Sequence, residues 1–227
     1  MRAPASGKRR GVLRRLIASV GVFDAAVSDW LDDLAGRTPT PGGGAVAALC
    51  AASAAALLEM VARYTTGKRW ADREDAMLET VAEAGGLRAR AVELAQADVA
   101  AFAAVGAAYG LPKDTAEDKV ARTAAIQAAT RGAAEPPVEV GRVATRLVTL
   151  ADALVEPANP NVLSDVGVAA AAARAALSGS VTNIVVNAAA LTDPDVVRTL
   201  LDEVGVLEDA MARADDVAAR VTERLQK

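Results

Sequence analysis

The chain contains no histidine. Ser-His-Asp triads, H-E-x-x-H zinc sites and most transition-metal sites need an imidazole as base or ligand, so all are excluded. Any proton transfer falls to Asp, Glu, Lys, Tyr or ordered water. Cysteine is nearly absent as well. Cys50 is the single thiol, which rules out an intramolecular disulfide and a cysteine-based zinc site and points to a cytoplasmic, reducing compartment. With no histidine to activate it, Cys50 reads as a core thiol. Aromatic residues make up 3% of the chain against a hydrophobic share of 52%, and alanine and valine supply most of the apolar content. No run of alternating β-branched residues specifies a strand. What remains is helix composition, because alanine has the best helix propensity and lets helices pack closely. The expected fold class is all-α, an up-and-down bundle of about five to six long helices.

Charge divides the chain unevenly. Residues 1–22 carry Arg2, Lys8, Arg9, Arg10, Arg14 and Arg15 and no acid, so a net charge of −4 overall leaves the remainder at −10. The acidic body argues against nucleic-acid binding. The arm reads as a basic, flexible segment outside the fold; contact with a membrane or nucleic acid, a targeting role and disorder all fit its composition. One helical domain is expected over residues 23–227, a length able to bury a sizeable core. The uncharged stretch 38–58 is about long enough to span a bilayer. It is mostly alanine and glycine, which insert weakly, so a buried helix and no membrane association are expected.

Proline and glycine punctuate the chain. A first helix is expected over 24–35, with Phe23, Val27, Trp30, Leu31 and Leu34 forming one apolar stripe and Gly36 ending it. A second runs from Ala45 to about Tyr64, with Glu59 and Arg63 as an i,i+4 pair. A third covers 71–108, its acidic start (Asp72, Glu74, Asp75) suiting the helix dipole. A fourth opens at Asp114-Thr115-Ala116-Glu117 and reaches about Glu156, with Pro136-Pro137 expected to break or kink it. A fifth follows Asn159-Pro160-Asn161 to about Leu191, and Pro194 opens the last.

Four places put polar residues where a plain bundle needs none. Pro41-Gly42-Gly43-Gly44 sits at a helix N-terminus, where free N–H groups and the dipole make an anion site; a flexible helix entry is the simpler reading. Thr65 to Trp70 contains Gly67-Lys68, but Ala62 and Arg69 replace the glycine and hydroxyl of a P-loop, so no nucleotide site is expected. Lys68 remains a cation for a carboxylate or a polarised oxygen. Asp98 shares an apolar helix face with Phe102 and Val105. A buried carboxylate there has a raised pKa and serves as acid/base, unless Arg88 or Arg90 pairs with it at the helix edge. Lastly, Asn159, Asn161, Ser164 and Asp165 crowd one turn more densely than a cap requires. Asn183 and Asn187 share a face further along, as ligands or as packing hydrogen bonders. Asp165 and Asn183 lie ~27 Å apart along a straight helix, too far for one small site unless a kink near Ser178-Gly179-Ser180 or a dimer mate brings the ends together; two separate sites are the other reading.

Taken together these residues resemble the cyclodeaminase/cyclohydrolase family. This is the domain at the C-terminus of formiminotransferase-cyclodeaminase, also found as stand-alone bacterial methenyltetrahydrofolate cyclohydrolases. The matching pieces run in order: 41–48, Thr65 to Trp70, Asp98 with Phe102, Tyr109-Gly110-Leu111-Pro112-Lys113, Asn159 to Gly167, and Asn183 to Asn187. The resemblance implies a homodimer or higher assembly and a tetrahydrofolate derivative as substrate. It implies carboxylate acid/base chemistry with no metal and no further cofactor. Asp98 and Asp165 are the candidate catalytic carboxylates, with Lys68 steering charge. Pro41, Gly42, Gly43, Gly44, Asn161, Ser164 and Asn187 are the candidate binding residues. The chain departs from the family in having Ala45 after the glycines and Val185 between the late asparagines. A catalytically silent helical dimer that binds a folate or a partner protein is the other reading.

Overall fold

The computed structural model describes residues 26–227; the basic arm 1–22 and Phe23 lie outside them. Six α-helices follow in order: α1 (Val27–Ala35), α2 (Gly43–Arg63), α3 (Glu74–Tyr109), α4 (Ala116–Leu154), α5 (Leu163–Ala190) and α6 (Pro194–Leu225). There is no strand among the described residues. Successive helices α2 to α6 pack on their neighbours, and α2 also packs on α5, which closes α2, α3, α4 and α5 into an up-and-down bundle with α6 against α4 and α5. Leu58, Leu147, Leu154, Leu177, Ile184 and Leu207 are fully buried at its centre. Alanines fill the rest of the core, and the helices approach closely where side chains vanish. A Cβ added at Gly179 of α5 would lie 2.9 Å from the Ala47 side chain of α2.

Local signals set several helix ends. Thr115 caps α4 in a box with Asp118, and Asp193 caps α6 with Pro194 inside its first turn, as N-cap chemistry predicts. Glu59 pairs with Arg63 at 2.6 Å. Two expectations change. α2 begins at Gly43 with Gly42 as its N-cap, so Gly43 and Gly44 lie in its first turn instead of preceding it. α4 runs unbroken through Pro136 and Pro137, both buried. Pro137 has no N–H for the carbonyl of Ala133, and that carbonyl accepts from the Asn187 amide at 3.1 Å instead. A tertiary hydrogen bond thus replaces the helical one that proline removes.

In the α1 stripe, Trp30 is buried while Val27 and Leu31 are exposed. Among the described residues three helical segments, Gly43–Arg63, Glu74–Tyr109 and Pro160–Ala190, are long and apolar enough to cross a membrane by length and composition. In Gly43–Arg63 more than half of the apolar window is buried inside the protein. In α3 the stretch 97–107 contains no buried residue.

Candidate active site

The up-and-down order brings the start of α2, the end of α3, the start of α4 and the end of α5 to one pole of the bundle. A cavity of about 310 Å³ opens there. α3 lends Asp98, Phe102, Val105 and Tyr109 to it, four residues at helical spacing on one face. α4 contributes Thr130 and Ala133, α5 contributes Asn183, Val186, Asn187 and Ala190, and the turn into α2 contributes Pro39, Thr40, Gly42, Gly43 and Gly44. Every wall therefore comes from a rigid helix except the glycine turn.

Asp98 is the acid of this pocket. It is half-buried, makes no hydrogen bond within the protein, and burial pushes its carboxyl above the ordinary aspartate value. Arg88 and Arg90 are engaged elsewhere, with Glu59 and Glu93, so neither neutralises it. Asp98 packs directly against the glycine turn: a Cβ at Gly44 would lie 2.1 Å from its Oδ1. Only a residue without a side chain lets the carboxylate approach the first turn of α2 so closely. The first intrahelical bond there is Val46 N–H to Gly42 C=O, which leaves the N–H groups ahead of it without helical acceptors. No lysine or arginine lines the pocket. Arg122 is outside the lining but contacts one of its residues, stacked 5.5 Å over the Tyr109 ring and donating to the Tyr109 carbonyl at 3.1 Å.

The two asparagines are oriented by backbone carbonyls. Asn183 donates from Nδ2 to Gly179, and Asn187 donates from Nδ2 to Ala133 and Asn183. Carbonyls only accept, so each amide nitrogen must face them, and each Oδ1 is left as a free acceptor.

Not all of the sequence-based candidates meet here. Gly42, Gly43, Gly44, Asp98 and Asn187 do; Pro41 lies beside the lining residues Thr40 and Gly42. Lys68, Asn161, Ser164 and Asp165 stand at the opposite pole, the length of α2 away, about 30 Å for 21 residues. Lys68 is exposed on the single turn Lys68–Trp70. Asn161 and Ser164 are exposed, and Asp165 is half-buried in the first turn of α5. Asn159 is a joint: it bonds to Thr65, to the Tyr64 carbonyl and to the Asn161 N–H. Of the two departures, Ala45 is fully buried behind the turn, and Val185 does not line the pocket. Burial raises the Cys50 thiol, which keeps it protonated and weakly nucleophilic. Sequence reasoning missed Thr130, Asn183 as a pocket residue, and Arg122. A threonine or arginine inside a long helix carries no local signal of what it faces.

A larger groove of about 480 Å³ runs between α4 and α6. Its Arg142 is already held by Glu139 and Glu203, while its Arg131 and Glu135 stand outside these ion pairs. Among the described residues no group of three or more potential metal ligands clusters.

Residues 26–205 match the family model described as formiminotransferase-cyclodeaminase. The chain belongs to that family. It is 40% identical over 201 residues to a methenyltetrahydrofolate cyclohydrolase of Methylorubrum extorquens, covering 88% of this chain and 95% of that protein. It is 33% identical over 196 residues to the formimidoyltransferase-cyclodeaminase of Rattus norvegicus, covering 84% of this chain but 36% of that longer protein. Among solved structures, the formiminotetrahydrofolate cyclodeaminase of Thermotoga maritima superposes with a TM-score of 0.76 at 31% identity, covering 89% of this chain and 96% of that one.

Proposed function

We infer that this chain is a folate one-carbon enzyme that makes or breaks a C–N bond of a tetrahydrofolate derivative, with Asp98 as its acid/base. The observation that carries the assignment is Asp98 itself: a carboxylate without a protein partner, in a pocket with no lining lysine or arginine, pressed against the glycine turn. The methenyl bridge between N5 and N10 is a cation, and an unpaired carboxylate in a partly desolvated pocket attracts it. A raised pKa also makes the carboxylate a stronger base.

In the hydrolytic direction, water attacks the bridge carbon and forms the C–O bond while Asp98 takes one of its protons. Asp98 then returns that proton to N5 as the C–N5 bond breaks. The remaining hydroxyl proton leaves to solvent as the formyl C=O forms, so the products are 10-formyltetrahydrofolate and one proton. In the deaminating direction, N10 attacks the protonated formimino carbon. Asp98 takes the N10 proton and delivers it to the amino group, which departs as ammonia and leaves the methenyl cation. One group that accepts and returns a proton serves both. We assign hydrolysis first, supported by the relative of like length. The pteridine and its bridge occupy the pocket, with free N–H groups of the glycine turn as donors. The p-aminobenzoyl-glutamate tail leaves past Phe102 and Tyr109 toward Arg122, whose charge suits its carboxylates.

Phe102 and Tyr109 are each more than half exposed on the apolar end of α3. A second copy of the chain covering that face is the assembly we propose, a homodimer or higher homo-oligomer. Light scattering at micromolar concentration tests it, and a monomer contradicts it.

The activity is tested by mixing purified protein with methenyltetrahydrofolate and following loss of its near-ultraviolet band. Acceleration over buffer is expected. No acceleration, and no ammonia from formiminotetrahydrofolate, contradicts the assignment.

A further inference from the structure

Helical threonines in this protein follow one habit. Thr80, Thr123, Thr145, Thr149, Thr182, Thr199 and Thr222 each donate to the carbonyl four residues back. Among the described residues of the α-helices, Thr130 is the exception. Its hydroxyl makes no hydrogen bond to the Ile126 carbonyl or to anything else in the protein, although the residue is only 4% exposed. It lines the pocket that holds Asp98. The back-bond costs a threonine nothing but a rotamer choice, yet the Thr130 hydroxyl forgoes it; its oxygen is not sealed inside the fold but opens to the pocket, free to bond what enters. Ser180 is the contrast: its hydroxyl is sealed in the fold without a bond, and it is not among the residues lining the pocket.

The neighbours of Thr130 show what is missing. Ala133, one turn further along α4, accepts the Asn187 amide, so Thr130 lies beside the two asparagines of α5. Asn187 has given both of its N–H donors to carbonyls, Asn183 has given one and keeps one, and each offers the pocket a free amide oxygen. The edge of a pteridine presents N–H donors next to a ring carbonyl. Two amide oxygens match the donors, and an amide oxygen cannot serve that carbonyl. A free hydroxyl supplies the donor.

We propose that Thr130 is a substrate-contacting residue whose hydroxyl, with the amide oxygens of Asn183 and Asn187, holds the hydrogen-bonding edge of the bound pteridine. This rests on the folate assignment above. Thr130→Val keeps the shape and removes the hydroxyl; Thr130→Ser keeps the hydroxyl. Three quantities are measured for each: kcat/KM on methenyltetrahydrofolate, the ligand-free thermal midpoint, and the midpoint shift produced by saturating 5-formyltetrahydrofolate. Thr130→Val is expected to lose about ten- to hundredfold in kcat/KM, the range of one lost bond to a ligand. Its ligand-free midpoint should equal or exceed that of the parent protein, and its ligand-induced shift should shrink. Thr130→Ser should stay within a few-fold of the parent. Turnover and ligand shift unchanged in Thr130→Val would overturn the proposal, as would equal losses in both variants, which would assign the effect to the methyl group. A lowered ligand-free midpoint in Thr130→Val would overturn it too, since the hydroxyl would then serve the fold. Failure of the folate assignment reads differently: the parent protein itself would show neither turnover nor a ligand shift.

Discussion

The two poles of the bundle carry similar residue types and use them differently. At one pole Asn159 donates to the Thr65 hydroxyl and to the Tyr64 carbonyl, and Lys68, Asn161 and Ser164 face solvent. At the other, Asp98 and the Thr130 hydroxyl have no protein partner, and Asn183 and Asn187 keep free acceptors. The polar groups of the first pole either join the end of α2 to the start of α5 or lie in water. Those of the second surround a cavity. Polar residue types alone mark both places; the state of their hydrogen bonds separates a joint from a pocket.

The largest expected effect is at Asp98. Asp98→Asn should lower kcat/KM by about 10²–10⁴, the usual contribution of a positioned acid/base. It should also raise the thermal midpoint at neutral pH. Burial raises the Asp98 pKa in the folded state, so its contribution to stability is present below the unfolded aspartate value and is lost as pH rises through the folded one. Asparagine escapes that loss, and the gain should vanish as pH falls below the ordinary aspartate range. A variant less stable than its parent at neutral pH would show that the carboxylate serves the fold. For the same reason the acid limb of the kcat/KM profile should lie above the ordinary aspartate pKa and disappear in the variant.

Next comes Gly44→Ala, whose methyl would occupy the space of the Asp98 carboxylate. Displacing the acid without removing it should cut kcat by about tenfold or more, with thermal melting as the control for folding. Full activity would mean that Asp98 works from elsewhere. Asn187→Ala should be milder in turnover and visible in stability, because it strands the Ala133 carbonyl that Pro137 cannot satisfy. A loss of about 1 kcal/mol by denaturant titration is expected, and the double variant with Pro137→Ala should recover part of it. Lys68→Ala should change kcat/KM by less than a few-fold, and a large drop would bring the far pole into the chemistry.

The bundle was legible because glycine, proline or capping residues stand at or near the breaks between helices, as at Gly36, Gly42, Gly110, Thr115, Pro160 and Asp193. The unbroken α4 was not, since its repair depends on Asn187, 54 residues from Ala133 in the chain. The glycine turn and Asp98 were legible for a related reason: three glycines in a row and a carboxylate on an apolar face each break a local rule. Thr130 breaks none. Its missing bond exists only in three dimensions, and so does the satisfaction of Asn159, which made a joint resemble a site.

The sharpest test compares the poles in one assay: kcat/KM on methenyltetrahydrofolate for Asp98→Asn and Asp165→Asn, each checked for intact helicity. Loss at Asp98 should exceed loss at Asp165 by about a hundredfold, the effect of removing an acid/base against removing a distant carboxylate. Equal losses, or a larger loss at Asp165, would contradict the placement of the chemistry at the glycine-turn pole.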